Sequence, residues 1–197
     1  MEKLEAALAK ARELRQGALG GSEAAPVRAP AGQQARAPSD WLSLPEVALP
    51  EGHAQRYRIT ALSGGRDAAP YDMLRSRIIR MMKEKGWSRL AITSPEAGCG
   101  KSTVSLNLAL SLARQKDLKV LLLDLDFRRP SLHRTLGFNP ESSLHEYLEG
   151  AAEFEKCAVR MGDNLIVGLN LSHSRRPSEL LQSQSLRDAL DAVERRW

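Results

Sequence analysis

Long apolar runs are missing from this sequence of 197 residues. The most concentrated run, residues 120–123, lies between Lys119 and Asp124 and is far shorter than the roughly 20 apolar residues that a membrane-spanning helix needs. The N-terminus mixes acidic residues such as Glu2 and Glu5 with basic ones, and it lacks the apolar core of a secretory signal. We therefore predict a cytoplasmic protein without a membrane span of its own.

Cysteine is also scarce, with only Cys99 and Cys157 in the whole chain. The two residues have neither the spacing of metal ligands nor the density of a secreted disulfide scaffold, so a reducing compartment fits best. Cys99 lies between two glycines in a loop before a predicted helix. A helix N-terminus stabilises thiolates and would make this thiol a redox switch; the alternative is an inert, variable loop position.

No single sign of charge dominates the sequence. The 29 lysines and arginines outnumber the 24 acidic residues only slightly, which gives a formal net charge of +5. An excess of positive charge suits acidic partners such as a nucleotide, an anionic lipid or a nucleic acid. The two signs alternate nearly everywhere, however, which is typical of an ordinary solvated surface, and we expect no nucleic-acid partner.

Composition divides the chain into three parts. Residues 1–16 form a predicted amphipathic helix, residues 17–54 a disordered linker rich in Pro, Ala and Gly, and residues 55–197 a folded domain. The N-terminal helix either docks on a partner or packs weakly and frays, because isolated helices of this length are barely stable.

A glycine-rich loop lies at the centre of the predicted domain. Residues 90–103 read Leu-Ala-Ile-Thr-Ser-Pro-Glu-Ala-Gly-Cys-Gly-Lys-Ser-Thr. In such a loop glycines let backbone N–H groups converge on phosphate oxygens, the lysine supplies charge, and the following hydroxyl holds Mg²⁺. Pro95 replaces the first glycine of the general pattern, but the half nearest the helix is kept. The residues predicted to bind the nucleotide are Ala97, Gly98, Cys99, Gly100, Lys101, Ser102 and Thr103.

The elements around this loop predict an α/β fold. A strand at 89–93, a helix at 101–115 and a strand at 119–123 would form a right-handed parallel unit, in a mostly parallel sheet covered by helices on both faces. The other predicted elements are helices at 71–86, 131–136, 143–148 and 177–197, a helical stretch at 154–159 and a third strand at 164–169. The fold class that we predict is therefore that of the P-loop NTPases.

Two carboxylates follow the second predicted strand. Asp124 and Asp126 leave its carboxyl end, where an open α/β sheet has its ligand site, so their loop should lie beside Lys101. Carboxylates there can hold Mg²⁺, orient an attacking hydroxyl or take its proton. The alternative is that both residues merely cap the turn before Pro130.

Together the two motifs resemble those of the bacterial tyrosine kinases, the autokinases of capsular and exopolysaccharide biosynthesis. The resemblance rests on residues 93–103, which match that family's Walker A motif, and on residues 121–133, Leu-Leu-Leu-Asp-Leu-Asp-Phe-Arg-Arg-Pro-Ser-Leu-His, which match its Walker A′ motif. Weaker similarity continues at 144–149 and 177–181, so the resemblance covers the chain from Tyr71 onward.

The resemblance implies a function and a set of roles. Gly98, Gly100, Lys101 and Thr103 would contact the phosphates of ATP, and Ser102 would hold Mg²⁺. Asp124 and Asp126 would serve the metal and the tyrosine hydroxyl, with the more catalytic role at Asp126; Lys101 and these two carboxylates are the predicted catalytic residues. The reaction would transfer the γ-phosphoryl group of ATP to tyrosine. A membrane-embedded polysaccharide co-polymerase or adaptor would recruit the protein to the inner face of the membrane, and a homo-oligomer is possible.

Three features of the family pattern are missing. A Walker B strand and a tyrosine-rich tail would follow Trp197, so we expect the domain to be incomplete at its C-terminus. The family's Glu-x-x-Arg-x-x-Arg subunit-contact motif falls at Ala69, Asp72 and Arg75, where only the last arginine matches.

Two other functions remain open at the sequence level. A partitioning-type ATPase would hydrolyse ATP without phosphorylating protein, but such proteins usually carry a second lysine early in the loop, where this chain has Glu96. A regulator of polysaccharide export that binds ATP without turnover would explain the missing kinase features.

Overall fold

The computed structural model of the protein describes residues 41–196, without the side chain of Trp41. The predicted helix at 1–16 and most of the predicted linker lie outside the described residues. Within them, no helix combines the length and the apolar character needed to cross a membrane.

A sheet of three short strands lies at the centre of the domain. The strands are β1 (Val120–Leu123), β2 (Ala158–Met161) and β3 (Leu165–Gly168), in the spatial order β1-β3-β2. β1 and β3 are parallel, with Val120 opposite Leu165, whereas β2 and β3 are antiparallel. Within the described residues the sheet is thus mixed and not mostly parallel as predicted, because the short turn between β2 and β3 can join only antiparallel neighbours, while parallel strands need a long crossover.

Seven α-helices surround the sheet in the described region. They are α1 (His53–Arg56), α2 (Ala69–Lys85), α3 (Lys101–Ala113), α4 (Leu132–Leu136), α5 (Leu144–Leu148), α6 (Pro177–Gln182) and α7 (Gln184–Arg196). The helix predicted to end at Gly86 does so, since that glycine has the left-handed φ of 65° that favours it at a helix end. The predicted C-terminal helix is two helices, because Ser183 has an extended backbone.

Side chains of β3 alternate between two apolar layers. Leu165 and Val167 pack in the layer that contains Leu106 and Leu110 of α3. Ile166 points the other way, into a layer that contains Leu144 of α5 and Val193 of α7. Helices therefore cover both faces of the sheet, and the predicted α/β fold of the P-loop NTPase type is confirmed.

The predicted strand at 89–93 is wrong. No residue of this stretch belongs to a strand in the described structure, and Leu90 remains 46% exposed. A strand exists only through backbone hydrogen bonds to a neighbour, and within residues 41–196 β1 pairs with β3 alone. The apolar sequence therefore gives an extended segment that leads into the glycine-rich loop without joining the sheet.

The helical stretch predicted at 154–159 is also wrong. A short 3-10 turn at Phe154–Lys156 is followed directly by β2. The apolar residues of this stretch suit either a helix or a strand, and pairing with β3 decides in favour of the strand. Ala158 and Val159 are buried in the sheet, with 1% and 0% exposure, so tertiary packing overrides the local pattern.

Residues 44–49, which the sequence assigns to the linker, lie beside β2. The backbone N–H of Val47 donates to the carbonyl of Arg160 at 2.9 Å, and the N–H of Arg160 donates to the carbonyl of Pro45 at 2.9 Å. Leu44 is buried, with 3% exposure, in the layer that contains Ile166. This part of the chain therefore packs against the domain.

Candidate nucleotide site

The glycine-rich loop opens directly into α3. Gly98 and Gly100 have φ values of 80° and 83°, a left-handed conformation that glycine adopts without steric cost. A Cβ atom at either position would meet no other atom within 4 Å, so the surface of the loop is open. The first N–H groups of a helix have no partner within it and favour anions. Loop and helix therefore fit phosphate groups.

Lys101, the first residue of α3, reaches the loop that follows β1. Its Nζ donates a hydrogen bond to Oδ2 of Asp126, and the two side chains are 29% and 17% exposed. Partial burial raises the pKa of Asp126, but Lys101 and the N–H groups of Arg129 and Arg128 lower it more, so the net pKa lies below the ordinary value. The structure thus brings the two predicted motifs together and keeps Asp126 ionised at neutral pH.

Asp124 has a different environment. Its Oδ1 accepts the backbone N–H of Asp126, and its Oδ2 accepts those of Ser131 and Leu132, each at 3.2 Å. The residue is only 5% exposed, and this burial raises its pKa despite the three hydrogen bonds. Asp124 therefore holds the loop of residues 124–132 in shape.

A second contact joins the two loops through hydroxyl groups. Ser131 Oγ donates a hydrogen bond to Ser102 Oγ at 2.8 Å. Ser102 is the residue that the sequence assigns to Mg²⁺, whereas Ser131 was not among the predicted site residues. Its position after Pro130 and before a short helix was the available signal, because serine is common at helix N-caps.

The side chain of Asn107 joins α3 to the backbone of residues 58–61. This role was not predicted from the sequence. Its Oδ1 accepts the backbone N–H groups of Thr60 and Ala61 at 2.8 and 2.9 Å. Its Nδ2 donates to the carbonyls of Arg58 and Thr103 at 3.0 and 2.9 Å. The side chain is fully buried and fully hydrogen-bonded. A lone asparagine on the apolar face of a helix was the signal in the sequence, since buried polar groups are normally paired.

Asn170, two residues after β3, supports Asp124. Its Nδ2 donates to the backbone carbonyl of Asp124 at 2.5 Å, and its Oδ1 accepts the backbone N–H of His145 at 2.9 Å. The residue is fully buried. This link fixes the backbone at the start of the loop of residues 124–132, directly after β1. Nothing in the local sequence identified Asn170 as a site residue.

The acidic and metal-ligating residues of the described region do not form a self-contained metal site. Within residues 41–196, no group of three or more His, Cys, Asp and Glu side chains could hold a metal ion. Mg²⁺ is commonly bound by one or two protein ligands together with phosphate oxygens and water. The Ser102 hydroxyl and the Asp126 carboxylate are oxygen donors of the type that Mg²⁺ prefers, so the residues present fit a nucleotide-bound Mg²⁺.

Arg75, the matching residue of the subunit-contact motif, turns into its own domain. Its Nη1 donates to Asp72 Oδ1 at 3.0 Å and to the carbonyl and hydroxyl oxygens of Ser111 at 3.0 and 3.1 Å. The side chain is only 14% exposed. Arg75 therefore joins α2 to the end of α3.

Sequence comparison shows similarity to two kinds of P-loop protein. The ParA family, described as NUBPL iron-transfer P-loop NTPase, matches residues 87–158. The tyrosine-protein kinase ptk of Acinetobacter johnsonii is 32% identical over 112 residues, which are 55% of this chain and 15% of that protein. The tyrosine-protein kinase etk of Escherichia coli K12 is 34% identical over 119 residues, 60% of this chain and 16% of that protein. The chain thus spans about a sixth of these relatives.

Structural comparison points the same way. The kinase domain of Escherichia coli tyrosine kinase ETK superposes with a TM-score of 0.61 and 27% identity, over 75% of this chain and 62% of that domain. The resemblance to bacterial tyrosine kinases is therefore confirmed: the chain is homologous to proteins of that name and carries their ParA-like P-loop NTPase fold.

Proposed function

We propose that this chain is the nucleotide-binding part of a bacterial protein-tyrosine kinase, which transfers the γ-phosphoryl group of ATP to tyrosine. The observation that carries the proposal is the contact between the two motifs. Lys101 and Ser102, at the N-terminus of α3, meet Asp126 and Ser131 of the loop after β1. Homology to proteins named tyrosine-protein kinases supports tyrosine as the acceptor of the phosphoryl group.

The chemistry of phosphoryl transfer needs positioning and charge neutralisation more than covalent help from the protein. The N–H groups of the loop and of the first turn of α3 bind phosphate oxygens, and Lys101 neutralises part of their charge. Bound Mg²⁺, held by Ser102 and Asp126, would supply further positive charge at the phosphates. Asp126 also orients the tyrosine hydroxyl. The sequence assigns Asp124 to the metal and the hydroxyl as well, but its oxygens already accept three backbone N–H groups, so we propose that Asp124 acts on the site through the loop that it holds.

The wider biological role follows from the family resemblance. The kinase would regulate the synthesis and export of exopolysaccharide or capsule. A membrane polysaccharide co-polymerase would recruit it to the inner face of the membrane, with the helix at residues 1–16 as one candidate contact. Homo-oligomer formation through the family motif is disfavoured, because Arg75 is engaged within its own chain.

Incubation of the full chain with γ-labelled ATP, MgCl₂ and the synthetic polymer poly(Glu,Tyr) tests the proposal. We expect alkali-stable label in the polymer or in the chain, detected also by an antibody against phosphotyrosine. Lys101→Met serves as the inactive control. Nucleotide binding without phosphotyrosine, even when the cytoplasmic segments of a co-polymerase from a related system are added, would contradict the kinase assignment.

A partitioning-type ATPase switch is the second candidate, and the match to the ParA family over residues 87–158 favours it. Glu96 argues against it, because the early lysine of such proteins is replaced by an acidic residue. Release of inorganic phosphate without phosphotyrosine would identify this function. Tight binding of ATP with neither reaction would indicate a non-catalytic regulator.

A further inference from the structure

Ser131 belongs to the loop of residues 124–132, and its side chain contacts the start of α3. Its Oγ is 2.8 Å from Oγ of Ser102, and its backbone N–H donates to Oδ2 of Asp124 at 3.2 Å. We infer that Ser131 is a positioning residue that fixes the Ser102 hydroxyl for Mg²⁺. This inference rests on the proposed function, because it concerns the metal that accompanies the nucleotide.

Ser131 is itself held firmly in place. Its carbonyl oxygen accepts hydrogen bonds from both the backbone N–H and the Oγ1 of Thr135, each at 3.1 Å. Together with the contact to Asp124, three hydrogen bonds therefore fix its backbone. A side chain on such a backbone has few rotamers to choose from, so its hydroxyl is presented in a defined direction.

The direction of that hydroxyl is informative. Ser131 occupies the N-cap position of α4, where a serine Oγ normally accepts an N–H of the first helical turn. Here the side chain makes no capping hydrogen bond. The hydroxyl donates to Ser102 instead. A hydrogen bond between the two parts of the site thus replaces the usual cap of the helix.

The consequence for Ser102 follows from the chemistry of a hydroxyl group, which has one proton and two acceptor lone pairs. When Ser131 donates to Ser102 Oγ, one lone pair is used and the rotation of the hydroxyl is restricted. The other lone pair is then available to a cation in a fixed direction. Partners that orient a metal ligand in this way commonly raise metal affinity, because the ligand loses less freedom on binding.

Ser131→Ala removes only the hydroxyl and keeps the backbone groups that contact Asp124 and Thr135. The test measures the affinity of a fluorescent ADP analogue in EDTA and then the Mg²⁺ concentration that half-saturates the tightening of its binding. We expect an EDTA affinity within about twofold of wild type and a half-saturating Mg²⁺ concentration about three- to tenfold higher, the loss typical of one hydrogen bond. Ser131→Thr, which keeps a hydroxyl, should restore the wild-type value.

Ser76→Ala is the matched control, because that hydroxyl donates only to the carbonyl of Asp72 within α2. Thermal unfolding of each variant separates loss of fold from loss of metal affinity. An unchanged Mg²⁺ requirement in Ser131→Ala would overturn the inference, as would an equal loss of affinity in EDTA and in Mg²⁺. Failure of the wild-type chain to bind the ADP analogue at all would instead overturn the proposed function, and the inference with it.

Discussion

Lys101 and Asp126 form an ion pair across 25 residues of sequence. The pair joins the phosphate loop to the loop after β1, and it means that a phosphate group must compete with a carboxylate for the ammonium of Lys101. Both partners are partly buried, so the charges are screened by water less than those of a surface pair. The nucleotide site is thus supported by a contact between its two motifs.

Lys101→Met should weaken nucleotide binding strongly. A charge-assisted hydrogen bond to phosphate contributes about 2–3 kcal/mol, which corresponds to a loss of roughly 30- to 150-fold in affinity. Isothermal titration with ADP and Mg²⁺ measures the change. Lys116→Met, at an exposed position after α3, is the control and should bind like wild type. Equal affinity in the two variants would refute the assignment of the site.

Asparagine substitutions should separate the two carboxylates. Asp124→Asn replaces an acceptor of buried backbone N–H groups by an amide, and we expect it to lower the free energy of unfolding by about 2 kcal/mol. Asp126→Asn keeps an oxygen for the N–H groups of Arg128 and Arg129 and loses the ion pair with Lys101. It should therefore cost only about 1 kcal/mol, while reducing phosphoryl transfer strongly. Urea unfolding and the phosphotyrosine assay measure the two effects. A larger loss of stability in Asp126→Asn than in Asp124→Asn would reverse the structural and catalytic roles of the two residues.

The sequence predicts the site better than the sheet. Lys101, Ser102 and Asp126 carry recognisable chemistry, and the sequence predicted that their loops meet at one edge of the sheet. The loops do meet, although the segment before the glycine-rich loop does not join the sheet as that prediction assumed. The strand at 89–93 and the helical stretch at 154–159 were wrong because short apolar runs do not specify their hydrogen-bond partners. Ser131 and Asn170 act through long-range contacts, 29 and 46 residues away. The local pattern at Ser131 indicates a helix cap, not a contact with Ser102, and no local pattern identifies Asn170.

Asn107→Ala should destabilise the domain by about 3 kcal/mol. The substitution leaves the N–H groups of Thr60 and Ala61 and the carbonyl of Arg58 without their hydrogen-bond partner, and unpaired buried groups cost about 1–3 kcal/mol each before relaxation. Chemical unfolding followed by circular dichroism measures the loss. Asn139→Ala, at an exposed position, should change stability little, and equal losses in both variants would contradict the anchoring role.

The lowered pKa of Asp72 should make the domain less stable in acid. The hydrogen bond from the Ser111 hydroxyl, at 2.6 Å, lowers the pKa of Asp72 most. Burial raises this pKa, but Arg75 and Arg114 lower it further, so the net pKa lies below 3.8. A carboxylate with a lowered pKa in the folded state stabilises the fold above the pKa of the unfolded chain, and this contribution disappears as pH falls through the folded value. Wild type should therefore exceed Asp72→Asn in stability at pH 6, and the difference should shrink below about pH 4. A stability difference between wild type and Asp72→Asn that does not change with pH would contradict this account. Asp117→Asn, at an exposed position, is the control and should differ little from wild type at either pH.

The two cysteines should differ sharply in reactivity. Cys157 is fully buried, and burial raises the pKa of its thiol to about 12, so almost none of the reactive thiolate exists at pH 8. Cys99 is exposed in the phosphate loop. A thiol reagent should therefore label one residue in the native protein and two in urea, as counted by mass spectrometry. Cys99→Ser should give no native labelling, and rapid labelling of that variant would show that the layer around Cys157 opens.

Because Cys99 lies between the two glycines of the glycine-rich loop, bound ADP should slow its labelling. If labelled protein still binds ADP with unchanged affinity, Cys99 is an inert loop position and the redox-switch interpretation is wrong.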